Sequence, residues 1–444
     1  MRAAFSATTG LWARKSGSAW WVAGKACFAT EMSAHGRRAT HGADLEWENP
    51  LAGSGILFLS AALVACGGHS EPTRDIAVQV SDSAGVRIVT YEGVPDAVAP
   101  FRLAAEPRYR HGAGPGDYIF QFADAGRLFP DGSAVVADWY GEVVTLSADG
   151  TTHEVLAKVG EGPGEVIGPY AVFVLGQDSV LVPDSRQSRL TLFVGGAVAR
   201  IVSLPRAAHF GVAGIGSSGE LLLWNRYPYR SWLDIEDEWL TGHMTLFDTE
   251  TGVLDTVASY HHFPRETLDR MKPIRALGEV TVATGRFVLS RSDRPEITWR
   301  LPDGTVTQIV RWRPGPNLLT EELLEHGEAY NRMIGRMNYG VSEARLEEII
   351  QEDMARYRAM IGQPVPLFGT PFADADGNVW LPSYRPAYPE EGSPYTVVSP
   401  GGEWLGQVET PPRFRILDVT GGLVLGVLRD EMDVENVVVY ELIR

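Results

Sequence analysis

Five polar side chains recur at one place in a repeated unit. In each unit a tight turn leads into an apolar, β-favouring run, and the residue six positions after the turn is polar. Gly132 leads to Asp138, Asp178 to Asp184, Gly219 to Asn225, Gly285 to Arg291 and Gly377 to Ser383; a further copy starting at Gly422 reaches the apolar Leu428. Arranged around an axis, the five polar residues would form a ring of two carboxylates, an amide, a guanidinium and a hydroxyl. Such a ring offers contacts to a polar ligand, and its carboxylates suit a divalent cation. The same positions have a structural use, because an Asp at a strand end accepts backbone N–H bonds in the adjoining turn. Both readings stand at this stage.

Other residues with chemical potential read more plainly. Asp374-Ala-Asp376-Gly-Asn378 opens like a calcium loop, but position 12 of that loop is Arg385 where a bidentate Glu is needed, so it reads as a hairpin turn. His261 and His262 have no third ligand at a telling spacing and read as exposed loop residues. Gly-x-Gly-Pro-Gly occurs at 112–116 and 160–164 with no helix start and no Lys after it, which excludes a phosphate cradle. Trp224, Tyr227, Tyr229 and Trp232 offer either a glycan or peptide platform or a packed loop. There is no Gly-x-Ser-x-Gly, His-Glu-x-x-His or Walker sequence. No resident metal or cofactor is expected, and catalytic residues are not identified.

The elements that must position these residues are strands. A candidate strand precedes each copy of the unit and another follows it. Five of the following strands run into turns at Asp149-Gly150, Gly195-Gly196, Thr251-Gly252, Asp303-Gly304 and Gly401-Gly402, which supply the positive φ of a tight hairpin. A fourth strand comes after each of these turns. The last copy has none before Arg444, and the unassigned segment Phe101–Arg110 is expected to complete it. The expected fold is therefore all-β: a six-bladed β-propeller of four-stranded antiparallel blades, closed by a strand from the other terminus. Val86–Tyr91 is expected to add an edge or to pack beside the closure. Residues 319–362 form a helical insertion between blades 4 and 5, with Ser342 as an N-cap. Its apolar stripe of Leu346, Ile349, Ile350, Met354, Tyr357 and Ile361 is expected to pack on one face of the propeller.

The chain has 444 residues and a formal charge of -17. Residues 1–66 hold six Lys/Arg and four Asp/Glu, leaving 33 against 52 in the remainder. That balance disfavours nucleic acid as a partner of the folded part. The two cysteines, Cys27 and Cys66, lie outside the repeats, so neither a disulfide nor a thiol nucleophile serves them. Residues 55–66 form a short apolar run that suits a signal-peptide core and is too short to span a bilayer. The expected organisation is a leader over 1–66 with its start upstream of the true one, a polar tether over 67–80 and the propeller over 81–444.

Leu63-Val64-Ala65-Cys66-Gly67 resembles a bacterial lipobox, which implies lipidation of Cys66. Asp82-Ser-Ala-Gly-Val-Arg-Ile-Val89, Gly160-x-Gly-Pro-Gly-Glu165, Ala373-Asp-Ala-Asp-Gly-Asn-Val-Trp380 and Arg429-Asp-Glu-Met-Asp-Val-Glu-Asn-Val-Val-Val-Tyr440 resemble bacterial six-bladed β-propeller lipoproteins, similar to NHL-repeat and TolB-like propellers. The resemblance covers about residues 80–444, and the third and fourth units depart most from its pattern. It implies an exported protein, lipid-anchored to a membrane and facing the periplasm or cell exterior. Two functions follow as expectations. One is a cell-envelope binding module for a protein, peptide or glycan. The other is a lactonase-like hydrolase or lyase holding Ca²⁺ in the channel ring, as propeller lactonases of the gluconolactonase type do.

Overall fold

The computed structural model describes residues 76–94, 101–138, 141–204, 209–216, 219–226, 238–264, 277–338, 342–385 and 392–443. Cys66 and the leader lie outside them. The chain opens with β1 (Val78–Ser83), β2 (Val86–Tyr91), β3 (Phe101–Leu103) and β4 (Tyr109–His111). The first repeat is β5 (Ala123–Leu128), β6 (Ala134–Asp138), β7 (Val143–Leu146) and β8 (His153–Ala157). The second is β9 (Phe173–Val174), β10 (Ser179–Asp184), β11 (Arg189–Val194) and β12 (Ala197–Ser203). The third is β13 (His209–Ile215), β14 (Leu221–Arg226), β15 (Trp239–Phe247) and β16 (Leu254–Pro264). The fourth is β17 (Gly278–Ala283), β18 (Arg286–Arg291), β19 (Glu296–Arg300) and β20 (Val306–Trp312). Helices α1 (Glu321–Asn338) and α2 (Glu343–Arg358) come next. The fifth repeat is β21 (Phe372–Ala373), β22 (Val379–Pro382), β23 (Pro394–Val398) and β24 (Trp404–Glu409), and the last is β25 (Phe414–Thr420), β26 (Leu423–Arg429) and β27 (Glu435–Ile443).

Each repeat is an antiparallel meander, and the meanders form a propeller-like arrangement of four-stranded sheets. First strands of neighbouring repeats pack side by side, in the series β25, β5, β9 and again β13, β17, β21. Period-two alternation explains the continuous apolar runs of the second strands. Ala134 and Val136 of β6 join a core with Leu425, Val427 and Val437 of the last repeat. Val135 and Ala137 of the same strand join a core with Val180 and Val182 of the second. Likewise Leu221 and Leu223 face the second repeat, whereas Leu222 and Trp224 face the fourth. A strand covered on both faces is apolar at every position, and β6 is buried throughout.

Hydrogen bonding does not separate six four-stranded sheets, which corrects the sequence expectation. It gives five sheets: three of four strands, one of six and one of nine. The cause is the N-terminal segment. The expected single strand Phe101–Arg110 is two short ones, because Pro107 between them has no N–H to donate. β4 pairs antiparallel with β27, opposite Val437 to Val439. β3 lies between the C-terminal end of β27 and the outer strand β24, so it fuses the last two repeats into one sheet. β2 pairs parallel with β20 and carries β1 beyond it, an added edge on the fourth repeat. Tyr91 at its end ties the fourth repeat to the fifth: its hydroxyl donates to Gly402 O at 3.0 Å and accepts from Trp404 N at 2.9 Å.

The helical region is a hairpin with its own core. Leu319, Leu324, Leu346, Ile350, Met354 and Tyr357 pack together, joined by Val365 and by Tyr384 of the fifth repeat. The stripe therefore faces α1 rather than a broad face of the sheets, and Ile361 does not continue it, being 37% exposed beyond the end of α2. Ser342 caps α2 by accepting from Arg345 N. Among the described residues no helix is long and apolar enough to cross a membrane.

Candidate functional site

An antiparallel meander brings the start of strand one, the end of strand two, the start of strand three and the end of strand four to the same end of its sheet. The two ends differ sharply. At one, the links within repeats (129–133, 147–152, 175–178, 195–196 and their counterparts) have two to six residues. At the other, links run from four residues to the 59 of 313–371, and include the helical hairpin and the connections 227–238 and 383–393. Asp138, Asp184, Asn225, Arg291 and Ser383 all stand at this second, open end, on or just after the second strand of their repeats.

The five do not play one role. Asp138 is fully buried and accepts from Gln121 N at 2.8 Å and Phe122 N at 3.0 Å, holding the chain that enters its own β5. Asp184 is 2% exposed and does the same for the second repeat: Ile167 N donates at 2.7 Å, Arg186 N at 2.9 Å, Gln187 N at 3.0 Å and the Gln187 amide at 2.9 Å. A carboxylate whose lone pairs face N–H groups is a cap, and as placed neither fits a resident calcium ion. Arg291 is different. Its guanidinium lies 3.8 Å over the Trp239 ring, pairs with Asp293 at 2.6 Å and has His261 Nδ1 3.5 Å away. In that repeat the capping duty falls to the next residue, as Ser292 Oγ accepts from Leu277 N at 2.9 Å. Ser383 Oγ meets Ser393 Oγ at 2.9 Å. Asn225 pairs with Phe210 and His243 in its sheet. Leu428 of the last repeat has no polar atom to offer; there Glu435, 1% exposed, accepts from Ala123 N at 2.7 Å and pairs with the buried Arg429 at 2.6 Å.

The other candidates resolve locally. Asp374 accepts from Asn378 N, Asn378 Nδ2 and Trp380 Nε1, each at 2.8 Å, which closes the β21–β22 hairpin; burial raises its pKa. His261 and His262 are not loop residues. They lie on β16, which outlasts the expected strand, with His262 buried and its Nδ1 2.9 Å from Gly278 O. Burial, then the charges of Arg291 and Arg294, lower the His261 pKa. Trp224 is buried core, while Tyr227, Tyr229 and Trp232 lie outside the described residues. Among the described residues no group of three or more His, Cys, Asp or Glu is placed to hold a metal ion.

The role of the acid after each Gly-x-Gly-Pro-Gly is not read from the sequence. Asp117 Oδ2 accepts from Gly112 N at 2.9 Å and Gly114 N at 2.8 Å, and Glu165 Oε2 accepts from Gly162 N at 2.7 Å. The Gly112 N–H bond lowers the Asp117 pKa. Each loop thus folds around its own acid. An acid at the sixth position in both copies was the available signal.

No family model matches this chain, and no curated protein matches it. Among solved structures it is similar to a protein of Bacteroides fragilis at 9% identity and a TM-score of 0.47, covering 80% of this chain and 100% of that one. A member of the duf4221 family from Bacteroides vulgatus is similar at 10% identity and a TM-score of 0.45, covering 78% and 99%. BamB from Moraxella catarrhalis is similar at 12% identity and a TM-score of 0.32, covering 82% and 96%. None of the three shares enough sequence to carry a residue role to this chain.

Proposed function

We propose that the protein is an exported, membrane-tethered binding module that engages a protein, peptide or glycan at the open end of its sheets. Its propeller-like arrangement of sheets is similar to that of NHL-repeat and TolB-like propellers. The observation that carries this reading is the asymmetry of the two ends. Tight turns close one end, while the long connections, the helical hairpin and the less constrained polar groups of Arg291 and Ser383 gather at the other. Binding residues concentrate on such connections because they vary without disturbing the scaffold. The apolar run 55–66 and Cys66 support export and lipid anchoring.

A photo-crosslinking residue tests the face. Ile119, 71% exposed, and Met432, 81% exposed, lie at the open end; Val253, 59% exposed, lies in a tight turn at the other. Incorporation at Ile119 or Met432 is expected to yield envelope-component adducts, and incorporation at Val253 is not. Adducts confined to Val253 would sink the proposal. For the anchor, Cys66→Ser is expected to move the protein from the membrane to the soluble fraction, and continued membrane partition would refute lipidation.

A further inference from the structure

The two Gly-x-Gly-Pro-Gly-acid loops are internal copies of one structure. Both sit at the open end, between the outer strand of one repeat and the first strand of the next. In both, the acid accepts from the N–H of the third residue, and the backbone N–H of the sixth residue donates to the carbonyl of the third at 3.1 Å. The fifth residue takes a left-handed conformation in each, φ +91° at Gly116 and +80° at Gly164. Satisfying the N–H groups from inside turns carbonyl oxygens outward.

What those carbonyls meet is where the copies differ. In the second loop they hold a guanidinium. Arg189 donates from Nη1 to Glu161 O at 3.2 Å and from Nη2 to Gly162 O and Glu165 O, each at 2.7 Å. Arg189 pairs with Asp184 in the sheet. The residue in that register in the first repeat is Glu142, whose carbonyl accepts from Asp138 N at 3.0 Å. An acid stands where the second repeat has a cation. The corresponding carbonyls belong to Ala113, Gly114 and Asp117. Among the described residues, no side chain donates to them, and Ala113 and Gly114 are exposed. Glu142 stands beside the residue that follows the loop, its N–H donating to the Tyr118 hydroxyl at 3.4 Å. That hydroxyl is pushed up to about 12, by burial first and then by the charges of Asp138 and Glu142.

We infer that the loop Gly112–Asp117, with Glu142, is a binding site for the guanidinium group of an arginine-containing peptide. The second loop displays the geometry the ligand adopts: a planar fork donating to carbonyls two, three and six of the loop. Glu142 supplies the countercharge, and the acidic balance of the folded part favours a cationic ligand. The inference deepens the proposed function, resting on the open end as the binding face, and commits to one subsite and one ligand chemistry.

The probe is an amidated tetrapeptide Gly-Gly-Arg-Gly, with citrulline and lysine versions and free arginine as separate arms, measured by calorimetry. Saturable binding of the arginine peptide is expected, at least about tenfold tighter than the citrulline peptide, which keeps the shape and loses the charge. Weaker binding of free arginine than of the peptide assigns the site to peptide ligands; equal binding overturns that part. Glu142→Arg is the decisive variant. It places a guanidinium where the second repeat has one, and should abolish binding while preserving the melting temperature. Arginine-peptide binding unchanged in Glu142→Arg, or equal binding of the citrulline peptide, overturns the inference. Open-end crosslinks to another ligand would then still stand, so the two readings fail separately. A complementary variant, Arg189→Ala, should gain more thermal stability from millimolar guanidinium than the parent protein does, because it empties the second loop of its guanidinium.

Discussion

Glu435 ties the last repeat to the first. Its carboxylate lies on β27 and reaches both the Arg429 guanidinium, at 2.6 Å, and Ala123 N on β5, at 2.7 Å. The side chains of Arg429 and Glu435 are 4% and 1% exposed. Glu435→Gln keeps the shape and one acceptor oxygen but removes the negative charge that faces the buried guanidinium. Removing one partner of a buried pair costs about 3–5 kcal/mol, because the remaining charge stays desolvated. At about 2 cal/mol/K of unfolding entropy per residue over the repeats, that lowers the melting temperature by about 4–7 °C. Calorimetry on Glu435→Gln, Arg429→Met and the double variant separates the pair from its surroundings. The double variant should be more stable than the sum of the singles requires, by about 2 kcal/mol or more, since it leaves no unpaired charge. Single costs below about 1 kcal/mol, or strictly additive singles, would refute the assignment of Glu435 as an electrostatic clasp.

Three further outcomes are expected. Asp184→Ala removes the acceptor of four N–H bonds and should cost about 2–4 kcal/mol in urea unfolding, with no calcium-dependent stabilisation in the parent; a neutral variant, or a calcium-induced rise that Asp184→Ala abolishes, would restore the ligand-ring reading. The depressed pKa of Asp117 contributes stability that is present above its ordinary carboxylate range and lost as pH falls through the folded value, so Asp117→Asn should flatten the acid limb of stability against pH; Asp374, raised by burial, acts in the opposite sense, and an unaltered acid limb in Asp117→Asn would count against the loop assignment. At Gly392, whose φ is +80°, a Cβ would lie 2.1 Å from Thr410 O, so Gly392→Ala should destabilise by more than about 1 kcal/mol, read as a fall in melting temperature.

Local chemistry made the strands legible. A turn with Gly or Asp-Gly and a run alternating between two buried faces are both written within a dozen residues, so the hairpins of each repeat could be placed without knowing their neighbours. The need for a closing strand was legible too, because the last repeat lacked one. Where sequence reasoning stopped, the determining contacts were distant. Nothing near Val86–Tyr91 indicates that β2 will lie parallel to β20, and nothing near Phe101–Leu103 indicates that β3 will bridge two repeats. The site divides the same way. Equal spacing from the turn fixed that Asp138, Asp184, Asn225, Arg291 and Ser383 share one end of their sheets. Only tertiary structure decided that Asp138 and Asp184 face backbone N–H groups while Arg291 faces Trp239 and Asp293. A side chain's spacing sets where it starts, and the loops folded against it decide whether it is a brace or a contact.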